Sequence, residues 1–310
     1  MAGNCASHRA GPRGLGESPR RESTRGHTAL HNPAMAQATK VVLVTGGTGA
    51  IGGELVAGLL GAGAQVIVAC RDAARGQALA ARAGASAPAL RVAPVDLASL
   101  RSVAELASWI LGELPRLDGL VHAAGVWSRQ RRLSADGLEL TFAVNHLAGF
   151  ALTTGLLPLL QRSRARVVTV ASGLHVRGKL AWDDVMQERG GFNGVRAYEQ
   201  SKLANVMFAL ALARRGGPAL VSHALHPGIV RSSLTREYPE LWKQPPPGVV
   251  PAAVAARAIL RMVEDPALAR SSGRYFDRDR PREPSPAARS VADQDRLWEL
   301  SERLLRRAAG

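Results

Sequence analysis

A chain of 310 residues can hold one large α/β domain or two small ones, and with no linker-like stretch in its centre one is favoured. Apolar residues make up 46% of it but aromatics only 4%, so the core must be built from Ala, Leu and Val, which suits helices on a parallel sheet. The formal net charge of +15 invites a nucleic-acid partner, yet the only lysines are Lys40, Lys179, Lys202 and Lys243 and the arginines are scattered rather than blocked, so none is expected.

Two cysteines, Cys5 and Cys70, form no disulfide framework and point to a reducing compartment, hence to a cytoplasmic protein. No uninterrupted apolar run approaches the ~18 residues of a membrane span. Met1 to Ala34 is rich in Arg, Ser, Gly, Pro and His, lacks helical or strand period, and reads as a disordered extension. Its poverty in acids resembles a transit peptide, and Arg20-Arg21 a twin-arginine signal without the apolar region that should follow. The other reading is an upstream-extended frame with the start at Met35. Residues 35–310 then form the domain.

Val41 to Thr45 is a continuous β-branched run, typical of a strand buried on both faces. It leads into GGTGAIGG and an amphipathic helix, with Gly46, Gly49 and Gly52 at G-x-x-G-x-x-G spacing. A tight strand-to-helix turn of this kind turns backbone N–H groups toward a pyrophosphate, and a second strand at Gln65 to Cys70 favours that over a merely structural turn. An NAD site would place an acid at the end of the second strand. Ala69 and Cys70 carry none and Arg71 follows, which suits a 2′-phosphate and NADP(H). The plainer readings are that Arg71 is a surface charge and Asp72 a helix N-cap.

Leu90 to Leu97 predicts a third strand ending at Asp96, followed by a helix over Ser99 to Glu113. Leu117 to Gly125 predicts a fourth, running into residues small enough for a cofactor to lie against. Asp136 to Gln161 reads as one long helix with Asn145 in its interior, where Asn is disfavoured. Either it marks a kink with a water-binding role, or it makes a packed polar contact. Ala165 to Gly173 delivers Ser172 to the carboxyl end of a fifth strand, the edge where open parallel sheets bind ligands. His175, in the loop beyond, reads as a surface or substrate-contact residue more than a catalytic one.

Tyr198 and Lys202 sit four apart in an apolar helical pattern and therefore one turn apart on one face. Such a pair is a solvated helix face or a proton-transfer device. Moving a tyrosine from its ordinary ~10 to ~7 takes about 4 kcal/mol, and one positive charge ~4 Å away in a partly solvated site supplies about that much. A sixth strand breaks at Pro227-Gly228. The proline-rich segment of about 231–250 carries Leu234, Tyr238, Leu241 and Trp242 and reads as a substrate lid or an ordinary connection. A helix over Pro251 to Glu264, a last strand at Gly273 to Asp277 and a tail helix over Ala287 to Arg307 complete the chain.

TGGTGAIG, HAAG, FAVNHLAGF, VVTVASGLH, YEQSK and HPG occur in the order and at the separations of the short-chain dehydrogenase/reductase family, which the chain resembles from Lys40 to about Phe276. ACRD, SKLAN and HPGIVRS look most like its retinol-dehydrogenase-like branch. The resemblance implies a single-domain, doubly wound parallel sheet (Rossmann fold) of about seven strands in the order 3-2-1-4-5-6-7. It implies an NADP(H)-dependent oxidoreductase acting on a lipophilic aldehyde, ketone or alcohol. Asn145, Ser172, Tyr198 and Lys202 become the catalytic tetrad, with Asn145 anchoring a water and Lys202 also holding the nicotinamide ribose. Gly46, Thr48, Gly49, Ala50, Ile51 and Gly52 lie at the pyrophosphate, Arg71 at the 2′-phosphate, and Asp96 and Leu97 at the adenine. Ala123, Ala124 and Gly125 flank the cofactor, and Pro227, Gly228, Ile229 and Val230 lie near the nicotinamide. Two positions depart from the family pattern: Ala50 replaces a usual glycine, and His122-Ala123 replaces the usual Asn-Asn of strand four. Partners are a small carbonyl or alcohol, with a homo-oligomer left open. A protein that senses NADP(H) or binds a partner without turnover is the other reading of the same fold, and a nucleic-acid binder would show steep salt dependence.

Overall fold

The computed structural model describes residues 39–309, so the reading of Met1 to Ala34 lies outside them. Strands β1 (Val41–Thr45), β2 (Gln65–Cys70), β3 (Leu90–Pro94), β4 (Gly119–His122), β5 (Arg166–Val170), β6 (Val221–His226) and β7 (Arg274–Asp277) run parallel. The helices are α1 (Ala50–Gly61), α2 (Ala73–Ala83), α3 (Leu100–Glu113), α4 (Leu140–Arg162), α5 (Gly194–Arg215), α6 (Ala252–Glu264), α7 (Pro286–Arg289) and α8 (Val291–Ala309). The β-branched run of β1 needs apolar cover on both sides. Val42 and Val44 pack toward α1 and α6, while Val41 and Leu43 pack toward α3 and α4. With a short eighth strand, β8 (Arg280–Arg282), the sheet order is β3-β2-β1-β4-β5-β6-β7-β8. Strand order reverses between β1 and β4, and the crevice at their carboxyl ends is where such a sheet receives a ligand.

The expected seven strands are joined by an eighth. After β7 the chain turns at Arg278, with φ at +58°, and β8 (Arg280–Arg282) returns antiparallel against β7. Pro281 lies within β8, and an edge strand tolerates proline because its missing N–H faces no partner.

The long helix expected from Asp136 begins instead at Leu140. The Glu139 carboxylate caps it, accepting from the N–H groups of Thr141 and Phe142 at 2.8 and 2.7 Å, while Asp136 accepts from Leu100 N–H at 2.9 Å. The disruption expected at Asn145 is a π-helical turn over Ala143–Leu147. This helix is long and apolar enough by composition to cross a bilayer, although the sequence has no uninterrupted apolar run of that length. Most of its apolar stretch is buried within the fold, packed against α3. The tail helix is two helices, α7 and α8, separated at Ser290.

His122, which departs from the family pattern, is accommodated by its neighbours. Thr153 donates its hydroxyl proton to Gly149 C=O at 2.8 Å, so His122 Nε2–H is the donor to Thr153 Oγ1, also at 2.8 Å. The ring lies against Gly149, where a Cβ would stand 3.3 Å from Nδ1. Burial holds His122 and His223 down to about 4, and His146 to about 3. A histidine depressed in the folded state contributes full stability above its ordinary 6.5 and loses it as the pH falls toward the folded value. At about 1.4 kcal/mol per unit each of the three costs on the order of a few kcal/mol once the unfolded chain is protonated, a substantial part of the ~5–15 kcal/mol of a whole domain. The protein should therefore unfold cooperatively between about pH 5 and 4, read by far-ultraviolet circular dichroism. A fold still intact at pH 3 would contradict these burials.

Candidate active site

The turn after β1 is built around missing side chains. Gly46 has φ at +73°, and a Cβ there would meet the Ala124 backbone at 2.6 Å. A Cβ on Gly52 would lie 2.1 Å from Gly46 O, so the helix rests directly on the turn. Gly49, the N-cap of α1, offers no side chain to the first-turn amides, which leaves them for a ligand. The turn opens onto a cleft of about 490 Å³ at the carboxyl edge of the sheet.

That cleft is lined by Gly46, Thr48, Gly49, Ala50, Ile51, Gly52, Arg71, Asp96, Leu97, Ala123, Ala124, Gly125, Ser172, Tyr198, Lys202, Pro227, Gly228 and Val230. Two residues of the expected set are not in its wall. Ile229 faces away: it pairs with Val249, and its carbonyl accepts from Val250 N–H at 2.8 Å, as the alternation of an extended segment after Gly228 requires. Asn145 stands behind the wall. Its Oδ1 accepts from Val126 N–H at 2.8 Å, and its Nδ2 donates to Val126 C=O at 3.0 Å and Ser201 Oγ at 2.9 Å. Both amide protons are committed, so its side chain makes the packed polar contact and braces the loop after β4.

Arg75, which the sequence reading passed over, also faces the cleft and donates to Thr48 C=O at 2.8 Å. It stands one turn of α2 beyond Arg71, and that spacing was the available signal. Asp72 does cap α2, accepting from Arg75 N–H at 3.1 Å. Asp96 accepts from Ala98 N–H at 3.0 Å and so holds its own loop.

Ser172 Oγ accepts from Leu174 N–H at 3.2 Å, which leaves the hydroxyl proton free to donate. Tyr198 and Lys202 are both buried, on one face of α5. Lys202 Nζ donates to Val170 C=O at 3.0 Å and lies 5.6 Å from the Tyr198 ring centroid. Burial pushes the Tyr198 phenol up to about 12, with the Ser172 hydroxyl pulling the other way, and pushes Lys202 down to about 8. The expectation of a phenol made acidic by its lysine is therefore not met in the bare protein. The phenol is fully desolvated, and the ammonium is aimed at the Val170 carbonyl.

His175 is neither on the surface nor in the cleft wall. It is buried, its ring 4.7 Å from that of Tyr275. A larger omission is Trp127. Its ring stacks on Tyr198 at 4.4 Å and 13°, and Tyr238 of the 231–250 segment lies 4.5 Å from it on a second contact. Trp127 Nε1–H donates to Gly194 C=O at 3.1 Å, and Gly194 can bear no Cβ, which would stand 2.1 Å from Ser128 O. The segment is fastened to the loop after β4: Arg129 N–H donates to Glu237 at 2.9 Å, Arg129 pairs with Glu240, and Arg132 with Glu237 at 3.1 Å. Of the residues expected in a lid, Leu234 lines the cleft and Trp242 donates to Thr235 Oγ1 at 2.8 Å. Among the described residues no cluster of His, Cys, Asp and Glu could hold a metal ion.

Comparison with known proteins gives concordant matches. The sequence model of the short chain dehydrogenase family matches residues 40–241. The chain is 37% identical to retinol dehydrogenase 14 of Mus musculus over 284 residues, 85% of each chain. It is 37% identical to retinol dehydrogenase 12 of Homo sapiens over 86% of each. Among solved structures, an uncharacterized protein of Mycobacterium paratuberculosis superposes with a TM-score of 0.71 at 30% identity, covering 86% of this chain and 93% of that one. A short chain dehydrogenase of Shigella flexneri complexed with NADP gives 0.62 at 24%, covering 77% and 96%, and so shares the fold.

Proposed function

This chain belongs to the short-chain dehydrogenase family, an oxidoreductase of alcohols and carbonyls in its retinol-dehydrogenase-like branch, and on that premise we propose that it reduces a lipophilic aldehyde or ketone with NADPH. The observation that carries the reading is the convergence of Ser172, Tyr198 and Lys202 on the cleft that the glycine turn opens. The residues present fit the dinucleotide. The cradle at Gly46 and Gly52 admits a pyrophosphate only because both lack Cβ, and Arg71 and Arg75 stand where β2 ends. When bound, the nicotinamide supplies the hydride.

The chain's own residues do the rest. The Ser172 hydroxyl donates to the substrate carbonyl oxygen and polarises it. Tyr198 then gives its phenolic proton to that oxygen as negative charge builds there. Burial keeps the phenol protonated in the neutral range, which suits the donor that carbonyl reduction needs. Lys202, on the same face, restores the proton and contributes positive charge. Trp127 and Tyr238 keep water from one side of the phenol and give the pocket an apolar wall. The experiment is a panel of aliphatic and aromatic aldehydes, ketones and retinoids followed by NADPH absorbance. Turnover of none of them would reject the reading.

Cofactor preference is the sharper test of the β2 end. NADPH should bind more tightly than NADH, and Arg71→Ala should reduce the preference by about 10- to 100-fold, the ~1.5–3 kcal/mol of a charge-assisted contact. Adding Arg75→Ala should abolish what remains. Equal affinities for the two dinucleotides in the unmodified protein, by fluorescence titration, would rule it out.

A further inference from the structure

The turn that carries Ser172 is tied to a part of the chain beyond the 40–241 match to the family model. The Ser172 carbonyl accepts two hydrogen bonds from one residue, His175: its N–H at 3.1 Å and its Nδ1–H at 2.8 Å. With Nδ1 donating, a neutral ring leaves a lone pair on Nε2. That lone pair accepts from Ser285 N–H at 3.2 Å. Both ring nitrogens thus have complementary partners, and the residue is only 1% exposed. Ser285 is in turn fixed at the start of α7, where its Oγ accepts from Ala288 N–H at 3.3 Å, three residues after β8. The opposite side of the turn is walled too, since a Cβ on Gly173 would lie 3.4 Å from the His226 ring.

From this geometry we propose that His175 is a positioning residue. It clamps the Ser172 turn between β5 and the C-terminal segment so that the Ser172 hydroxyl is presented to the substrate carbonyl. The proposal rests on the reading of Ser172 as a catalytic hydroxyl. The hairpin of β7 and β8 then has a role in the chemistry, because it sets the height of Ser285 and through His175 the height of Ser172. A misplacement of about 1 Å at a reacting group can cost ~10²-fold in rate, which is the scale at stake.

Four variants test it, assayed with NADPH and with decanal or all-trans-retinal, whichever turns over faster: Ser172→Ala, His175→Phe, His175→Asn, and Ser172→Ala with His175→Phe. His175→Phe keeps the ring and loses both hydrogen bonds. It should lower kcat by about 10- to 100-fold while KM and the NADPH Kd stay within about twofold. Asparagine can place an N–H near the Nδ1 position and should recover most of kcat. In the Ser172→Ala background, His175→Phe should cost nothing further, because it acts only through that hydroxyl. An equal additional loss in the double variant, or an unchanged kcat in His175→Phe, overturns the proposal. An active Ser172→Ala enzyme instead rejects the catalytic reading beneath it. Should His175→Phe not fold, Ser285→Pro removes the donor N–H at a residue whose φ of −56° already suits proline. It should lower kcat in the same direction, and no change there would likewise overturn the link.

Discussion

Tyr198→Phe should leave folding and NADPH affinity nearly unchanged while turnover falls by about 10²- to 10⁴-fold, the range for losing a general acid. The ring it keeps is the part that holds the structure, buried in α5 and stacked on Trp127. The oxygen it loses is the one that interacts with the Ser172 hydroxyl and that we propose delivers the proton. Lys202→Met should lower turnover as well and, unlike Tyr198→Phe, weaken the dinucleotide, since we propose that this residue serves both. Carbonyl reduction should vary little with pH around neutrality because the phenol stays protonated, whereas alcohol oxidation, which needs the phenolate, should climb with alkalinity. A Tyr198→Phe enzyme that kept more than about a tenth of the rate, well above the general-acid range, would reject the assignment.

Gly52→Ala and Gly53→Ala, adjacent and chemically identical, should have opposite consequences. The Cβ at Gly52 would fall 2.1 Å from Gly46 O and 2.8 Å from Gly46 C and Gly47 Cα, all backbone atoms of the turn. Nothing there is a flexible side chain that can swing aside, so the turn itself must open. We expect a loss of at least about 2 kcal/mol of stability and of about 10²-fold or more in NADPH affinity. The Cβ at Gly53 finds its nearest neighbour at 3.8 Å. Its added methyl should raise the melting temperature slightly, by the ~1 kcal/mol that separates glycine from alanine in a helix. Thermal melts with and without NADPH read both. Equal behaviour of the two variants would show that the close approach of α1 to the turn is not what shapes the cradle.

The sheet was legible because its evidence is local. Val41 to Thr45 and Gln65 to Cys70 carry their burial in their own composition, and glycines spaced by three can be counted. The edge of the sheet was not, because Pro281 argues against a strand unless one knows that it lies outermost. The start of α4 was missed for a related reason: Asp136 and Glu139 are both credible caps, and the choice depends on Leu100, thirty-six residues upstream, drawing Asp136 away. At the site, Ser172, Tyr198 and Lys202 announce themselves by motif. Trp127, Tyr238 and His175 do not, since each acts through contact with a residue remote in sequence. The acidity of Tyr198 is not legible in the sequence, because the burial that sets it has no signature in a spacing of four.

The hairpin of β7 and β8 has one more consequence, for the company the molecule keeps. An outermost strand displays a row of unpaired peptide groups on which another chain can build. β8 gives a poor template: it is three residues long, its Pro281 has no N–H, and Arg280 and Arg282 are exposed on either side of it. The far edge, β3, closes with Pro94 and carries the exposed Arg91. Among the described residues neither margin of the sheet invites strand addition, which disfavours edge-to-edge pairing of two copies through β3 or β8.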